Sequence, residues 1–257
     1  MPLSEEQRAR TVARFEEHRR AWDRNPALRA LYAEWYGRIA KDLPAAALGP
    51  RVELGSGPGF ARQFIPDLEL TDVAQAPWHD RACSADALPF GDASVGALVL
   101  FDVLHHLPEP RRFFAEAVRV LRPGGRVIMC EPYVSAASYP VYKLLHEEPL
   151  EMRVDPLEPA AGSDGNGERD PFDSNQAIPS ILFGRAGRRA FAEAFPQLAV
   201  TRVEHLAGLS YPTSGGFSRR PLLPFPIWSA LRRLEARVPE ALLRWWAFRM
   251  LIVLERR

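Results

Sequence analysis

A glycine-rich turn, a series of carboxylates and a histidine pair fall at spacings suited to binding and activating a small organic molecule. Val52-Glu53-Leu54 is a short apolar run that leads directly into Gly55-Ser56-Gly57-Pro58-Gly59. Glycine lacks a Cβ and tolerates positive φ, so such a turn lets the backbone lie close against a ligand. A pyrophosphate-binding Gly-x-Gly-x-x-Gly needs its third glycine where Phe60 stands, which disfavours a nicotinamide dinucleotide and an oxidoreductase. Asp72, Asp86 and Asp102 follow. His105 and His106 come just after Phe101-Asp102-Val103-Leu104, and imidazole is the side chain suited to taking a proton near neutral pH. Glu131 closes a later apolar run, and Tyr133, His146, His205 and Tyr211 are further polar candidates. Taken singly, Asp72 or Asp86 reads as a helix cap or turn residue, and the histidines read first as shaping the site.

The elements that must hold these residues follow from periodicity. Ser4 with Gln7 three residues on, and Glu5 and Glu6 between them, has the spacing of a capping box and predicts a helix start. Leu28, Leu31, Tyr32, Trp35, Tyr36 and Ile39 recur at helical spacing and predict a second helix with one broad apolar face. From Arg51 short apolar runs alternate with helical ones: Val52 to Leu54, Leu68 to Thr71, Val95 to Phe101 and Arg126 to Cys130. Runs apolar on both faces suit parallel strands covered on each side, which predicts a doubly wound α/β sheet. A helix carrying Phe113, Phe114, Ala117, Val118 and Leu121 precedes Pro123-Gly124-Gly125, which should turn the chain into the next strand. Residues 155–176 read as a long polar loop that could form a lid, followed by a helix over 179–195 and strands at 198–206 and 250–255.

Composition narrows the class further. The 257 residues are 47% hydrophobic and 25% charged, enough to bury a large core. Thirty-three basic residues against 32 acidic ones leave a net charge of +1, so nothing favours nucleic acid as a partner. Cys83 and Cys130 have no CxxC or Cys/His spacing, so neither a disulfide framework nor a zinc site is suggested and no metal is expected. The first thirty residues lack the apolar run of an export signal, which points to the cytoplasm. The longest apolar stretch, 241–254, is interrupted by Arg244 and Arg249 and falls short of the roughly 20 residues that span a bilayer.

The order of Val-Glu-Leu-Gly-Ser-Gly-Pro-Gly at 52–59, Asp72, Ala85-Asp86-Ala87-Leu88-Pro89-Phe90, Phe101-Asp102-Val103-Leu104-His105-His106-Leu107 and Leu121-Arg122-Pro123-Gly124-Gly125 resembles the class I S-adenosylmethionine-dependent methyltransferases. Within them it looks like the type 11 group, which includes quinone-biosynthesis enzymes. The resemblance covers residues 49–133. It implies a Rossmann-like seven-stranded sheet whose last strand, about 250–255, runs antiparallel beside the fifth. It also implies S-adenosylmethionine as cofactor. Glu53, Gly55, Gly57 and Gly59 would wrap its methionine part and Asp72 would take both ribose hydroxyls. Asp86 and the Ala87 N–H would face the adenine, and Phe101 and Asp102 would lie beneath the methionine moiety. The implied organisation is a helical cap over 1–48 and a methyltransferase domain over 49–257. Its cofactor half would be 49–133, and segments at about 134–180 and 208–249 would shape an acceptor site.

His106, Glu131 and His105 are the candidate catalytic residues. The acceptor is expected to be small or lipid-linked, with methylation at oxygen or carbon. A cofactor-binding protein without catalysis, acting as regulator or scaffold, is the alternative. The 208–249 segment, with Trp245-Trp246 and the run 221–228, reads first as a packing cap or dimer face; contact with the inner membrane surface is the second reading, and both monomer and homodimer stay open.

Overall fold

The computed structural model describes residues 3–145, 148–158 and 174–257; His146 and most of the polar loop proposed as a lid lie outside them. The capping box forms as the sequence predicts. The Gln7 N–H donates to Ser4 Oγ at 3.1 Å, the Ser4 N–H donates to Gln7 Oε1 at 2.9 Å, and α1 runs Glu5–Arg24. Asn25 then caps α2 (Pro26–Asp42), accepting from the Leu28 N–H at 3.1 Å. Pro26 occupies the first helical turn, where its missing N–H costs nothing.

Seven strands form one sheet: β1 (Arg51–Leu54), β2 (Leu68–Asp72), β3 (Arg81–Ala82), β4 (Val95–Phe101), β5 (Leu121–Pro132), β6 (Leu198–Leu206) and β7 (Arg249–Arg256). Their spatial order is β3-β2-β1-β4-β5-β7-β6. The first five are parallel, and β7 lies antiparallel between β5 and β6, as the resemblance implies. The helices after α2 are α3 (Pro110–Val120), α4 (Ser138–Leu145), α5 (Ile178–Phe183), α6 (Gly187–Ala194), α7 (Ser210–Thr213), α8 (Phe225–Glu235) and α9 (Glu240–Leu243). Among the described residues no helix is long and apolar enough to cross a membrane.

Every residue of β4 is buried, which explains why its seven residues read as one unbroken apolar run. On one face of the sheet Phe113 and Phe114 of α3 pack with Phe183 of α5 and Phe191 of α6. Burying one such ring contributes about 1.5–3 kcal/mol of transfer free energy. On the other face Leu28, Leu31, Trp35 and Ile39 of α2 meet Val99, Ile128 and Leu251, and Trp228 of α8 closes the same cluster.

Three sequence expectations change. The connections from β1 through β4 carry no α-helix, only a 3-10 turn at Ala61–Gln63. The face that a crossover helix would cover is taken by α2, arriving from the N-terminal side. The helix expected over 179–195 is two helices, because Gly184 is extended at ψ 168 and Gly187 follows, and each glycine costs a helix about 1 kcal/mol relative to alanine. Strand β5 starts at Leu121 rather than Arg126: Pro123-Gly124-Gly125 lies inside it, with pairing to β4 shifting between Val95 and Ala97.

Candidate active site

The glycine-rich turn leaves the carboxyl end of β1 with Gly55, Gly57 and Gly59 at φ +65°, +48° and +76°. That conformation is strained for a side chain, and at Gly55 a Cβ would also stand 2.6 Å from the Val103 side chain. The turn is held from several directions. Asp72, at the end of β2, accepts from the Gly57 N–H through Oδ2 and from the Ala74 N–H through Oδ1, both at 2.9 Å. The Gly57 carbonyl accepts from Trp78 Nε1 at 2.7 Å and lies 2.8 Å from His79 Nε2. Because the Ala76 N–H donates to His79 Nδ1, Nε2 carries the proton and donates to that carbonyl. From above, Arg19 of α1 donates to the Pro58 carbonyl at 2.8 Å and stacks on the Trp78 ring. Trp78 and His79 escaped the sequence reading because they sit in a segment with no periodicity.

Glu53 lies beneath the turn rather than in the cavity beside it. Its Oε1 accepts from the Tyr36 hydroxyl at 2.8 Å, and its Oε2 is buried with no partner. Burial pushes its carboxyl up to about 7, against the Tyr36 bond that favours the anion. A carboxyl raised above its unfolded value of 4.5 binds its proton more tightly in the native state, so ionising it destabilises the fold as pH rises through 7. The cost approaches about 3 kcal/mol at most. Glu53→Gln is therefore expected to match the wild type in urea denaturation at pH 5 and to exceed it at pH 8.5. An equal difference at both pH values would show that Glu53 is already ionised at the lower one. Burial likewise pushes the Asp72 carboxyl up, despite the Ala74 and Gly57 N–H bonds.

A single cavity of about 1520 Å³ runs over the carboxyl ends of β1, β2, β4 and β5. It brings together the glycine turn, Asp72, Asp86, Ala87, Phe101 and Asp102 from the stretch between β1 and the end of β4, and His105 and His106 from the segment after β4. Asp86 accepts from the Ser84 hydroxyl, and the Ala87 N–H donates to the Ser84 carbonyl at 3.2 Å, closing a small turn at the cavity edge. Phe101 stacks against Tyr32 and Tyr36 of α2, with ring centroids 4.6 and 4.9 Å away. Asp102 adopts φ +57° and forms an ion pair at 2.5 Å with Arg249, the first residue of β7. The Arg249 guanidinium lies over the rings of Trp35, Phe101 and Tyr211. It reads in the sequence only as a charge interrupting an apolar stretch.

Glu131, 0% exposed, lies behind the cavity wall. Its Oε1 accepts from the Val103 and Leu104 N–H groups, both at 2.9 Å, and its Oε2 stands 2.7 Å from His105 Nδ1. His105 Nε2 faces Glu148 Oε2 at 3.4 Å. Burial would lower the His105 imidazole, but bonds to Glu131 and Glu148 overcome it and raise the group to about 10. His106 is half-buried and lines the cavity. Tyr211 also lines it, whereas Tyr133 and His205 pack ring against ring outside it.

Beyond these residues the cavity wall is largely apolar, with Val141, Tyr142 and Leu145 of α4, Phe217, Leu222 and Phe248. The 208–249 segment is both a cap and an exposed surface. Trp228 and Leu243 are buried, while Phe225, Ile227, Leu234, Leu242 and Trp245 are exposed.

Residues 52–129 match the family model described as a methyltransferase domain. An uncharacterized methyltransferase of Mycobacterium sp. (strain JLS) is 32% identical over 124 residues, covering 38% of this chain and 49% of that protein. The demethylmenaquinone methyltransferase of Clavibacter sepedonicus is 30% identical over 138 residues, covering 46% and 56%. The chain thus spans about half the length of the curated relatives it matches. Among solved structures, a chain of the Haloferax volcanii complex between the Trm112 methyltransferase activator and a methyltransferase superposes with a TM-score of 0.51 at 18% identity, over 95% of this chain and 94% of that one. The matched segment begins in β1 and ends in β5, so it contains the glycine turn, Asp72, Asp86 and Asp102 on the strands that position them. Residues 52–129 thus match a methyltransferase domain, and that segment is folded into the sheet order described above.

Proposed function

We propose that the protein transfers a methyl group from S-adenosylmethionine to oxygen or carbon of a small or lipid-linked acceptor. The observation that carries this reading is the continuity of the cavity. One end is lined by backbone glycines and carboxylates, the other by histidines and apolar side chains. Its volume exceeds the roughly 300–1,000 Å³ usual for one small-molecule site, which leaves room for cofactor and acceptor together.

The residues present fit the cofactor. Three left-handed glycines expose backbone in a conformation that strains any side chain. The ribose hydroxyls would bond Asp72, which is buried yet lines the cavity, and each of its oxygens has capacity beyond the backbone N–H it accepts. Asp86 and Ala87 would hold the adenine. Asp102, which lines the cavity, would supply negative charge near the methionine part, as a sulfonium entering a partly buried cleft requires. The cofactor supplies a methyl group already activated on a sulfonium, so the protein's contribution is alignment and exclusion of water.

The aromatic stack of Tyr32, Tyr36 and Phe101 and the cap over the cavity serve that exclusion. His106 is the group placed to take a proton from an acceptor hydroxyl, while Glu131 acts by orienting His105. Calorimetric titration with S-adenosylmethionine, S-adenosylhomocysteine and NADH tests the reading. Binding of the first two and not of NADH is expected; NADH binding with no affinity for the others would overturn it.

A further inference from the structure

We propose that His105, His106 and Glu148 bind a divalent cation of zinc type at the acceptor end of the cavity. One ligand atom from each residue lies within 4.8 Å of the other two. His105 Nε2 and Glu148 Oε2 are 3.4 Å apart, longer than a good hydrogen bond. That is the edge of a tetrahedron whose metal-to-ligand bonds are about 2.0–2.2 Å. The two atoms are thus already at the separation that one zinc ion imposes, and His106, whose ring centroid is 4.2 Å from that of His105, needs a shift of about an ångström to join them.

The strongest support lies behind the ligands. A metal-binding imidazole commonly gives its other N–H to a carboxylate, which fixes the tautomer and aims the free lone pair. Here Glu131 accepts from His105 Nδ1 at 2.7 Å, and its other oxygen is pinned by two backbone N–H groups. Neither carboxylate nor imidazole can swing away, since Glu131 and His105 are 0% and 2% exposed. Nε2 is therefore held facing Glu148, and the cation takes the place of the Nε2 proton. Two histidines and one carboxylate make a donor set suited to Zn²⁺ and its first-row neighbours rather than to Mg²⁺. All three ligands line the cavity, so the remaining coordination position faces it. An oxygen of water or of the acceptor would occupy that position, where the cation lowers the pKa of a hydroxyl so that its proton passes to solvent, a role that replaces His106 as the base. Adjacent ligands on a single 3-10 turn, with the third from beyond α4, follow no metal-binding sequence spacing.

The test uses the whole 257-residue chain stripped by chelation and titrated with Zn²⁺ by calorimetry, with Co²⁺ as an absorption probe and Mg²⁺ as a control. One equivalent of Zn²⁺ is expected, with a visible Co²⁺ band of tetrahedral or five-coordinate intensity and no comparable Mg²⁺ binding. Glu148→Gln and His106→Gln should each weaken Zn²⁺ binding at least tenfold, and Glu131→Gln by about 10–100-fold. Circular dichroism and thermal melts establish that each variant is folded; His106 and Glu148 are only half-buried, so at least these two should pass. Absence of stoichiometric Zn²⁺ binding, or equal binding by wild type and folded His106→Gln and Glu148→Gln proteins, overturns the proposal. Neither result touches the methyl-transfer reading, which cofactor titration tests separately.

Discussion

Replacing Asp72 with asparagine is expected to weaken S-adenosylmethionine binding roughly 100-fold or more. The side chain keeps its size but loses its charge, and each ribose bond to a carboxylate is worth about 1.5–3 kcal/mol. A second loss comes from the fold itself. The carboxylate accepts from Gly57 and Ala74 at once, one N–H on each oxygen, whereas an amide offers one oxygen and a donating nitrogen. In the variant either the glycine turn or the Ala74 backbone faces a donor, so the turn loosens at the point where it must meet the ligand. Asp67, an exposed carboxylate paired with Arg51, provides the control, and Asp67→Asn should bind as wild type does. Calorimetry reads both. Asp72→Asn binding within twofold of wild type would place the ribose elsewhere.

The second large effect is asymmetric. Asp102→Ala should destabilise the protein by about 3–5 kcal/mol, because it strands a buried guanidinium without its counter-charge. Arg249 is 2% exposed, whereas Asp102 is 32% exposed at the cavity. Arg249→Met should therefore cost less, since the remaining carboxylate can turn toward water and methionine suits the surrounding rings of Trp35, Phe101 and Tyr211. The double variant should regain most of the loss caused by Asp102→Ala. Urea denaturation of the four proteins measures the coupling directly. Equal and additive effects of the two single changes would mean that the pair contributes nothing to stability.

Much of the architecture was legible because burial writes itself into period. The strands at 52–54, 68–71 and 95–101 are short, largely apolar runs, and α1, α2 and α3 announce themselves through caps or a single apolar face. Strand β3 was not legible, since Arg81–Ala82 is two exposed residues with no pattern to repeat. The covering of the sheet by α2 was hidden for a different reason. Periodicity shows that a helix has an apolar face but not which surface that face meets.

The site divided along the same line. Residues drawn from one continuous segment, from Gly55 to His106, could be read from their order. Contacts that join distant segments could not. Asp102 with Arg249, and His105 with Glu131 and Glu148, are made by the arrival of β7, β5 and the stretch after α4 at the end of β4. Glu131 illustrates the consequence: at a strand end it reads as a catalytic candidate, yet its two oxygens are fully occupied in holding a turn and a histidine.

On the proposed reading one cavity holds S-adenosylmethionine across the ends of β1, β2 and β4. A crystal structure of the protein with S-adenosylhomocysteine tests it most directly. The ribose hydroxyls are expected on Asp72, the adenine amine on Asp86 and the methionine part against Gly55 to Gly59. A bound molecule located away from Asp72 and the glycine turn would contradict it.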